Sequence, residues 1–288
     1  MQPPLPSPTP TWHNDTYDAI FPSRPELSAA GKTIVVVGAG STIGRETSLA
    51  FAAAGAARLV LVGRTASSVA ETAAQLPKSV DSLTLSVDIT SEESLAAAAA
   101  AAGTWHVLVL TAGYLSEPST IGGSAADDWW QSFETNARGT YLTAKAFLPT
   151  ADPGRAAFLA LTTGTTAMPA AVLPGLSSYI VSKLAQTKIV EYLAAENPNL
   201  FAAALHPGMV ESAIFYKSGA SPDALPMDKA QLPAHFSVWL ASEEAAFLNG
   251  RTVWANWDVD ELKKSAEKIK GGQLFTGSID GWPFTSLS

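Results

Sequence analysis

The sequence predicts a single-domain α/β fold: a doubly wound, seven-stranded parallel sheet with helices on both faces. Three observations carry this. Short β-branched or apolar runs alternate with longer helix-forming segments, the pattern of parallel strands joined by right-handed crossovers. The first apolar run ends in closely spaced glycines. The 288 residues, 47% hydrophobic and 15% charged, suffice to bury one substantial core.

Taken in order, residues 1–30 form an extension before the first strand, proline-rich at its start and carrying Trp12, Tyr17 and Arg24-Pro25-Glu26-Leu27. Its aromatics imply packing against something, a partner subunit included; a flexible tail is the alternative. The segment has no positively charged start followed by an apolar stretch, so no signal peptide is expected. No run of about 20 apolar residues suggests a membrane span, and a cytoplasmic protein is expected. The domain proper is placed at 31–256, with strands near 33–37, 58–62, 82–87, 106–110, 156–161, 201–205 and 252–255. Helices are placed near 42–54, 66–75, 91–102, 125–147, 177–195 and 229–242. Residues 257–288 follow as a polar helix over Val259–Lys270 and a tail containing Trp282-Pro283-Phe284.

Charge and composition exclude several functions. A net charge of −8 and a pI of about 5.0 disfavour nucleic acid and anionic membranes as partners. With no cysteine, disulfides, thiol catalysis and thiolate metal sites are absent, and the four histidines (His13, His106, His206, His235) show no ligand spacing. No metal is expected. His206, directly before Pro207, reads as a structural residue at a strand end.

Two motifs carry chemistry. In Val37-Gly38-Ala39-Gly40-Ser41-Thr42-Ile43-Gly44 a strand passes through a tight turn into a helix. Glycines there let the backbone approach a pyrophosphate, which sits on the helix N-terminus. Farther on, Tyr179 and Lys183 stand four residues apart, so both project from one face of a helix. An ammonium beside a phenol favours the phenolate, which suits the phenol to pass a proton near neutral pH.

With both motifs in this order, the chain resembles the short-chain dehydrogenase/reductase family over residues 31–256. The resemblance implies a Rossmann-type fold, a nicotinamide cofactor and redox chemistry at a carbonyl or carbinol carbon. The family's motif Thr-Gly-x-x-x-Gly-x-Gly has Val37 for its threonine and Thr42 for its middle glycine, while Gly38 and Gly44 match. Gly38, Gly40, Ser41, Thr42, Ile43 and Gly44 are thereby candidate cofactor residues. Gly63 stands where members preferring NAD carry an acid, and Arg64 follows; a guanidinium suits a 2′-phosphate, so NADP is expected. Arg64 as a solvated loop cation, with Arg45 in its place, stays open. Asp88 matches the adenine-binding aspartate, and it also suits a helix cap with Ile89-Thr90. Leu110-Thr111-Ala112-Gly113 replaces Asn-Asn-Ala-Gly, keeping Ala112 and Gly113. Pro207, Gly208, Val210 and Ser212 resemble the segment that lines the nicotinamide.

The resemblance also implies an acid–base set of Asn136, a hydroxyl residue, Tyr179 and Lys183. The family's serine is absent: counting from the strand start points to Thr163, and counting back from Tyr179 points to Thr166. The strand count is preferred, because loops absorb insertions. Among members, the Ser-Lys-Leu-Ala stretch, His-Pro-Gly and the tail look most like fungal enzymes. The leading expectation is an NADPH-dependent reductase of a small hydrophobic ketone or aldehyde, assembled as a homodimer or homotetramer. The departures at Val37, Thr42, Leu110 and Thr163 motivate an alternative: an NADP-binding scaffold or regulator without redox turnover, or a repurposed enzyme such as an isomerase.

Overall fold

In the computed structural model, residues 2–278 are described, and Trp282, Pro283 and Phe284 lie outside them. Seven strands form one parallel sheet: β1 (Thr33–Val37), β2 (Arg58–Gly63), β3 (Asp81–Ser86), β4 (Val107–Leu110), β5 (Ala156–Leu161), β6 (Leu200–His206) and β7 (Arg251–Trp254). Their order is β3-β2-β1-β4-β5-β6-β7, so the winding direction reverses between β1 and β4. Crevices at the carboxyl ends of strands flanking such a reversal receive ligands. The register aligns those ends: Val37 pairs with Val62 and Leu110, Leu110 with Ala160, and Leu161 with Leu205.

The apolar strands read as unbroken runs because helices cover both faces. Ile34 and Val36 point to one layer, which contains Phe51 of α1 (Thr42–Ala53). Phe236 and Trp239 complete that layer from a later helix, Gln231–Leu240. Val35 and Val37 face the other layer, with Leu95 of Glu92–Ala102 and Phe147 of Gly139–Phe147. Alternation by two along each strand therefore distributes one apolar run between two cores. In chain order the helices are α1, α2 (Ala66–Ala73), α3 (Glu92–Ala102), α4 (Ala126–Phe133), α5 (Gly139–Phe147), α6 (Ser177–Glu196), α7 (Ala213–Lys217), α8 (Gln231–Leu240), α9 (Val259–Lys264) and α10 (Ala266–Lys270).

Two expected helices are interrupted. The segment near 125–147 contains a π turn at Glu134–Arg138 between α4 and α5, where the fully buried Asn136 turns its amide toward neighbouring backbone. The polar C-terminal helix divides at Ser265 into α9 and α10.

Residues 2–30 pack against their own chain. Trp12 pairs with Trp257 in an isolated antiparallel bridge, and Trp12, Ile20 and Leu27 enter the core. Polar contacts fix the same path: the Thr11 hydroxyl donates to Glu261 (2.7 Å), His13 meets Asp258 (2.9 Å), and Arg24 meets Glu244 (2.8 Å).

Candidate active site

The glycine turn joins β1 to α1 at the reversal point. Gly38 has φ +98°, and a Cβ there would stand 2.4 Å from Thr111 Oγ1 and 2.7 Å from the Ala112 nitrogen. A Cβ on Gly44 would stand 2.1 Å from the Gly38 oxygen, so side chains are excluded at both positions. Ser41 caps α1, its Oγ accepting from the Gly44 nitrogen (3.1 Å) and donating to the Gly38 oxygen (2.8 Å). Thr42 is exposed on the first turn of α1 and leaves the glycine geometry intact. Val37 brings no hydroxyl to this turn, but Thr111, directly after β4, sets one there: its Oγ1 lies 3.1 Å from both the Val37 and Gly38 oxygens.

Beside this turn runs a cleft of about 570 Å³, lined along its length by Gly40, Ile43, Arg64, Asp88, Gly113 and Ser212. Its volume and its helix N-terminus suit an extended dinucleotide. Arg64 is exposed on the lining, whereas Arg45 is held by Glu71 (3.2 Å) and the Thr72 hydroxyl (3.3 Å). A Cβ at Gly63 would approach Val69 Cγ2 to 2.8 Å, so any side chain there would require Val69 of α2 to shift. Asp88 Oδ1 accepts from the Thr90 nitrogen (2.9 Å) and hydroxyl (2.8 Å), closing a local turn, while Ser91 is the actual cap of α3. These bonds, against partial burial and with help from the Arg64 charge, hold the Asp88 carboxyl below the usual carboxylate range. The Asp88 side chain thus has a local structural role and still borders the cleft.

At the Gly113 end, a Cβ on that glycine would lie 3.4 Å from both Asn136 Oδ1 and Lys183 Nζ. Gly113 thus sets this part of the cleft lining against Asn136 and Lys183. Asn136 is satisfied on three sides: Oδ1 accepts from the Tyr114 nitrogen (2.8 Å), and Nδ2 donates to the Tyr114 oxygen (2.8 Å) and Ser182 Oγ (2.9 Å). Lys183, almost fully buried, donates to the Leu161 oxygen (2.7 Å) and to Gln186 Oε1 (3.0 Å). Burial pushes the Lys183 ammonium down to about 7 and pushes the Tyr179 phenol up. Lys183 Nζ lies 6.0 Å from the centre of the Tyr179 ring.

Three polar residues join this group that motif matching had not singled out. Gln186 Nε2 donates to Thr140 Oγ1 (2.8 Å), and Thr140 donates to the Asn136 main-chain oxygen (2.7 Å). Ser182 Oγ donates to the Tyr179 main-chain oxygen (2.8 Å). The signal was present in spacing: Ser178, Ser182 and Gln186 recur every four residues, a polar stripe that α6 turns inward.

Thr163 and Thr166 occupy one 3₁₀ turn after β5. Thr163 Oγ1 is the cap of Gly164–Ala167, accepting from the Thr165 nitrogen (3.3 Å) and lying 3.0 Å from Thr165 Oγ1. The Thr166 hydroxyl is committed to the Thr163 main-chain oxygen (2.9 Å). Thr163 sits two residues beyond the end of β5, as the strand count expects.

The Pro207–Ser212 segment follows β6. Gly208 has φ +84°, and a Cβ would meet Asp228 Oδ2 at 2.3 Å. Asp228 pins this turn from within the segment 209–232 that follows it, referred to below as the lid: it accepts from the Met209 nitrogen (2.6 Å), Asn14 (2.8 Å) and Asn256 (3.0 Å). Burial raises its carboxyl pKa against those three bonds. Val210 is buried, and Ser212 caps α7 while lining the cleft. Asp228 had no sequence signal, because its partners come from three distant segments.

A parallel sheet with a glycine cradle at its reversal point and a Tyr-Lys helix beside it defines a nucleotide-dependent oxidoreductase class. The family model of the short chain dehydrogenases matches residues 32–222. The chain is 33% identical over 274 residues to a short chain dehydrogenase/reductase of Claviceps purpurea (strain 20.1), covering 92% of this chain and 91% of that one. It is 34% identical over 278 residues to the short chain dehydrogenase citE of Monascus ruber, covering 91% and 94%. Among solved structures, a 7α-hydroxysteroid dehydrogenase complexed with NADH and 7-oxo glycochenodeoxycholic acid superposes with a TM-score of 0.72 at 22% identity, covering 83% and 96%. The protein belongs to the short-chain dehydrogenase/reductase family, whose members are oxidoreductases using nicotinamide cofactors. Among the described residues no helix is long and apolar enough to cross a membrane.

Proposed function

We propose that the protein is an NADPH-dependent reductase of a hydrophobic ketone or aldehyde, reversible as an alcohol oxidation. One observation carries this reading: a single cleft is lined by both Arg64 and Gly113, and Gly113 abuts Asn136 and the Lys183 amine. A nicotinamide cofactor held in this cleft would supply the hydride equivalent that carbonyl reduction requires. Gly38, Gly40 and the Ser41–Gly44 turn would cradle the pyrophosphate, Arg64 the 2′-phosphate, and Ser212 the carboxamide.

In the reductive direction Tyr179 gives its phenolic proton to the substrate oxygen as charge builds there. Protonated Lys183 stabilises the phenolate that remains. Thr163 donates a hydrogen bond to the carbonyl oxygen, with Thr166 the alternative from the same turn. Asn136 holds the Tyr114 backbone and α6 in register, and Gln186 fixes the Lys183 side chain. The lid contributes Ile214 to the cleft and places Phe215 edge-on to Tyr216, a surface that suits an apolar substrate.

NADPH oxidation over a panel of ketones and aldehydes tests the reading, with Tyr179→Phe as the informative variant. Turnover is expected to fall at least about a hundredfold, the usual worth of a positioned acid, while NADPH affinity measured by calorimetry stays within a few-fold. Equal turnover in wild type and variant would remove Tyr179 from the chemistry. NADPH binding without turnover of any carbonyl would favour the scaffold alternative.

A further inference from the structure

The buried amine of Lys183 has a side-chain partner whose orientation the fold dictates. Gln186 stands three residues farther along α6, fully buried, and its Oε1 accepts from Lys183 Nζ (3.0 Å). An amide could turn either its oxygen or its NH2 group toward that amine, and only the oxygen can accept from an ammonium. Thr140 of α5 makes the choice. Its hydroxyl proton goes to the Asn136 main-chain oxygen (2.7 Å), so toward Gln186 it can only accept, and Nε2 donates to it (2.8 Å). The carbonyl end of Gln186 is thereby turned to Lys183.

The charges around α6 leave this bond exceptional weight. Tyr179 is the titratable side chain facing the amine, its ring centre 6.0 Å away. Other titratable groups on α6 and on the elements packed against it are engaged elsewhere. Asp128 of α4 holds Tyr114 (2.5 Å), Glu134 pairs with Arg138 in the π turn (3.0 Å), Lys145 of α5 with Glu92, and Lys188 of α6 with Glu191. Asp127, Tyr141, Tyr192 and Glu196 are exposed, and His206 of β6 lies against Trp254 (4.7 Å). Burial therefore acts on the ammonium with no paired carboxylate among the described residues to oppose it, and brings it to about 7. Hydrogen bonds counter burial, because a charged donor bonds more strongly than a neutral one. The Leu161 main-chain oxygen supplies one such bond (2.7 Å) and Gln186 the other.

We propose that Gln186 is a positioning residue that sets the protonation of Lys183: a neutral acceptor, locked by Thr140, that favours the ammonium without pairing it in a salt bridge. The proposal deepens the reductase reading and rests on it for its catalytic consequence. A carboxylate at this position would hold the proton far more tightly and would bury a second charge. An apolar side chain would leave burial to expel the proton. The amide stands between these extremes, so the amine titrates in the pH range where the proposed acid–base step runs.

A pH titration of the full chain by carbon NMR, with isotope-labelled lysine and no cofactor added, tests this without any turnover. The Lys183 Cε resonance, identified by its loss in Lys183→Arg, reports the proton on the amine. Gln186→Met is expected to lower its midpoint by at least about one pH unit, and Gln186→Glu to raise it by as much. Thr140→Val removes the lock from the neighbouring helix and is expected to lower the midpoint by at least about half a unit. Thermal melts identify the variants that remain folded. An unchanged midpoint in the folded variants, or shifts of the same sign in Gln186→Met and Gln186→Glu, would overturn the role, since a packing defect carries no such sign. In the carbonyl assay the alkaline fall of kcat/KM is expected to move with the midpoint in each variant. A fall that stays in place while the midpoint moves would overturn the catalytic consequence. If the carbonyl panel yields no turnover, the NMR titration still decides what Gln186 does, so failure of the reductase reading is distinguished from failure of this assignment.

Discussion

At the scale of single residues, Lys183 has the most consequential environment. Its amine is buried, held by one backbone oxygen and one amide oxygen, and among the described residues no carboxylate pairs with it. Burial disfavours the charged form and brings its pKa to about 7. The proposed reduction needs the ammonium, so kcat/KM for carbonyl reduction should fall as pH rises through about 7, roughly tenfold per unit. A pH–rate profile flat to pH 9 would remove Lys183 from that role. Arg64 yields the second prediction. Arg64→Ala should weaken NADPH by roughly one to two decades, the worth of a charge-assisted contact, and leave NADH little changed. Equal losses for both, by calorimetry, would return Arg64 to a solvated loop cation. Tyr179 and Lys183 were legible because one motif spans a single helical turn. Asp228 was not, since it acquires meaning only from partners that the fold brings to it.

At the scale of elements, α6 buries polar groups on its sheet-facing side and exposes apolar ones on the other. Ser182, Lys183 and Gln186 face inward, whereas Val181, Leu184 and Tyr192 are open, with Tyr192 60% exposed. Trp130 of α4 and Tyr141 of α5 are also exposed. Such a group of large apolar side chains on neighbouring helices is what an interface between copies presents. We propose a homodimer through α4, α5 and α6. Light scattering at micromolar concentration should give twice the 30.0 kDa chain mass, and Leu184→Arg with Tyr192→Arg should halve it. A wild-type monomer would reject the interface. The expected stretch near 125–147 carried helical periodicity throughout, so its π turn was not legible. The turn exists because Asn136 spends its amide on Tyr114 and Ser182 across the fold.

At the scale of the molecule, Glu244 ties the N-terminal arm and α9 to the domain. Its carboxylate accepts from Arg24 of the arm (2.8 Å), from Trp239 of α8 (3.1 Å) and from Lys263 of α9. Partial burial would raise its pKa, but these three donors outweigh that and draw it down to about 2. A folded pKa below the unfolded one gives stability that is present above the unfolded value, near 4.5, and is lost as pH falls toward 2. Glu244→Gln should therefore cost roughly 2 kcal/mol at pH 7. The gap to wild type, followed by chemical denaturation, should close as pH approaches 2. An undiminished gap there would mean that the loss is one of packing rather than charge.

The sequence by itself determined the parallel α/β architecture, the strand positions, the glycine cradle and the Tyr-Lys pair. Each of these is written in local periodicity or in residues within a few positions of one another, where backbone sterics and side-chain spacing decide the outcome. Tertiary structure alone decided that Thr111 sets a hydroxyl against the Val37 oxygen and that Asp228 pins the turn after β6. It also decided that residues 2–30 pack on their own chain. Those outcomes depend on contacts between distant segments, fixed by burial and hydrogen-bond satisfaction, which no local pattern encodes.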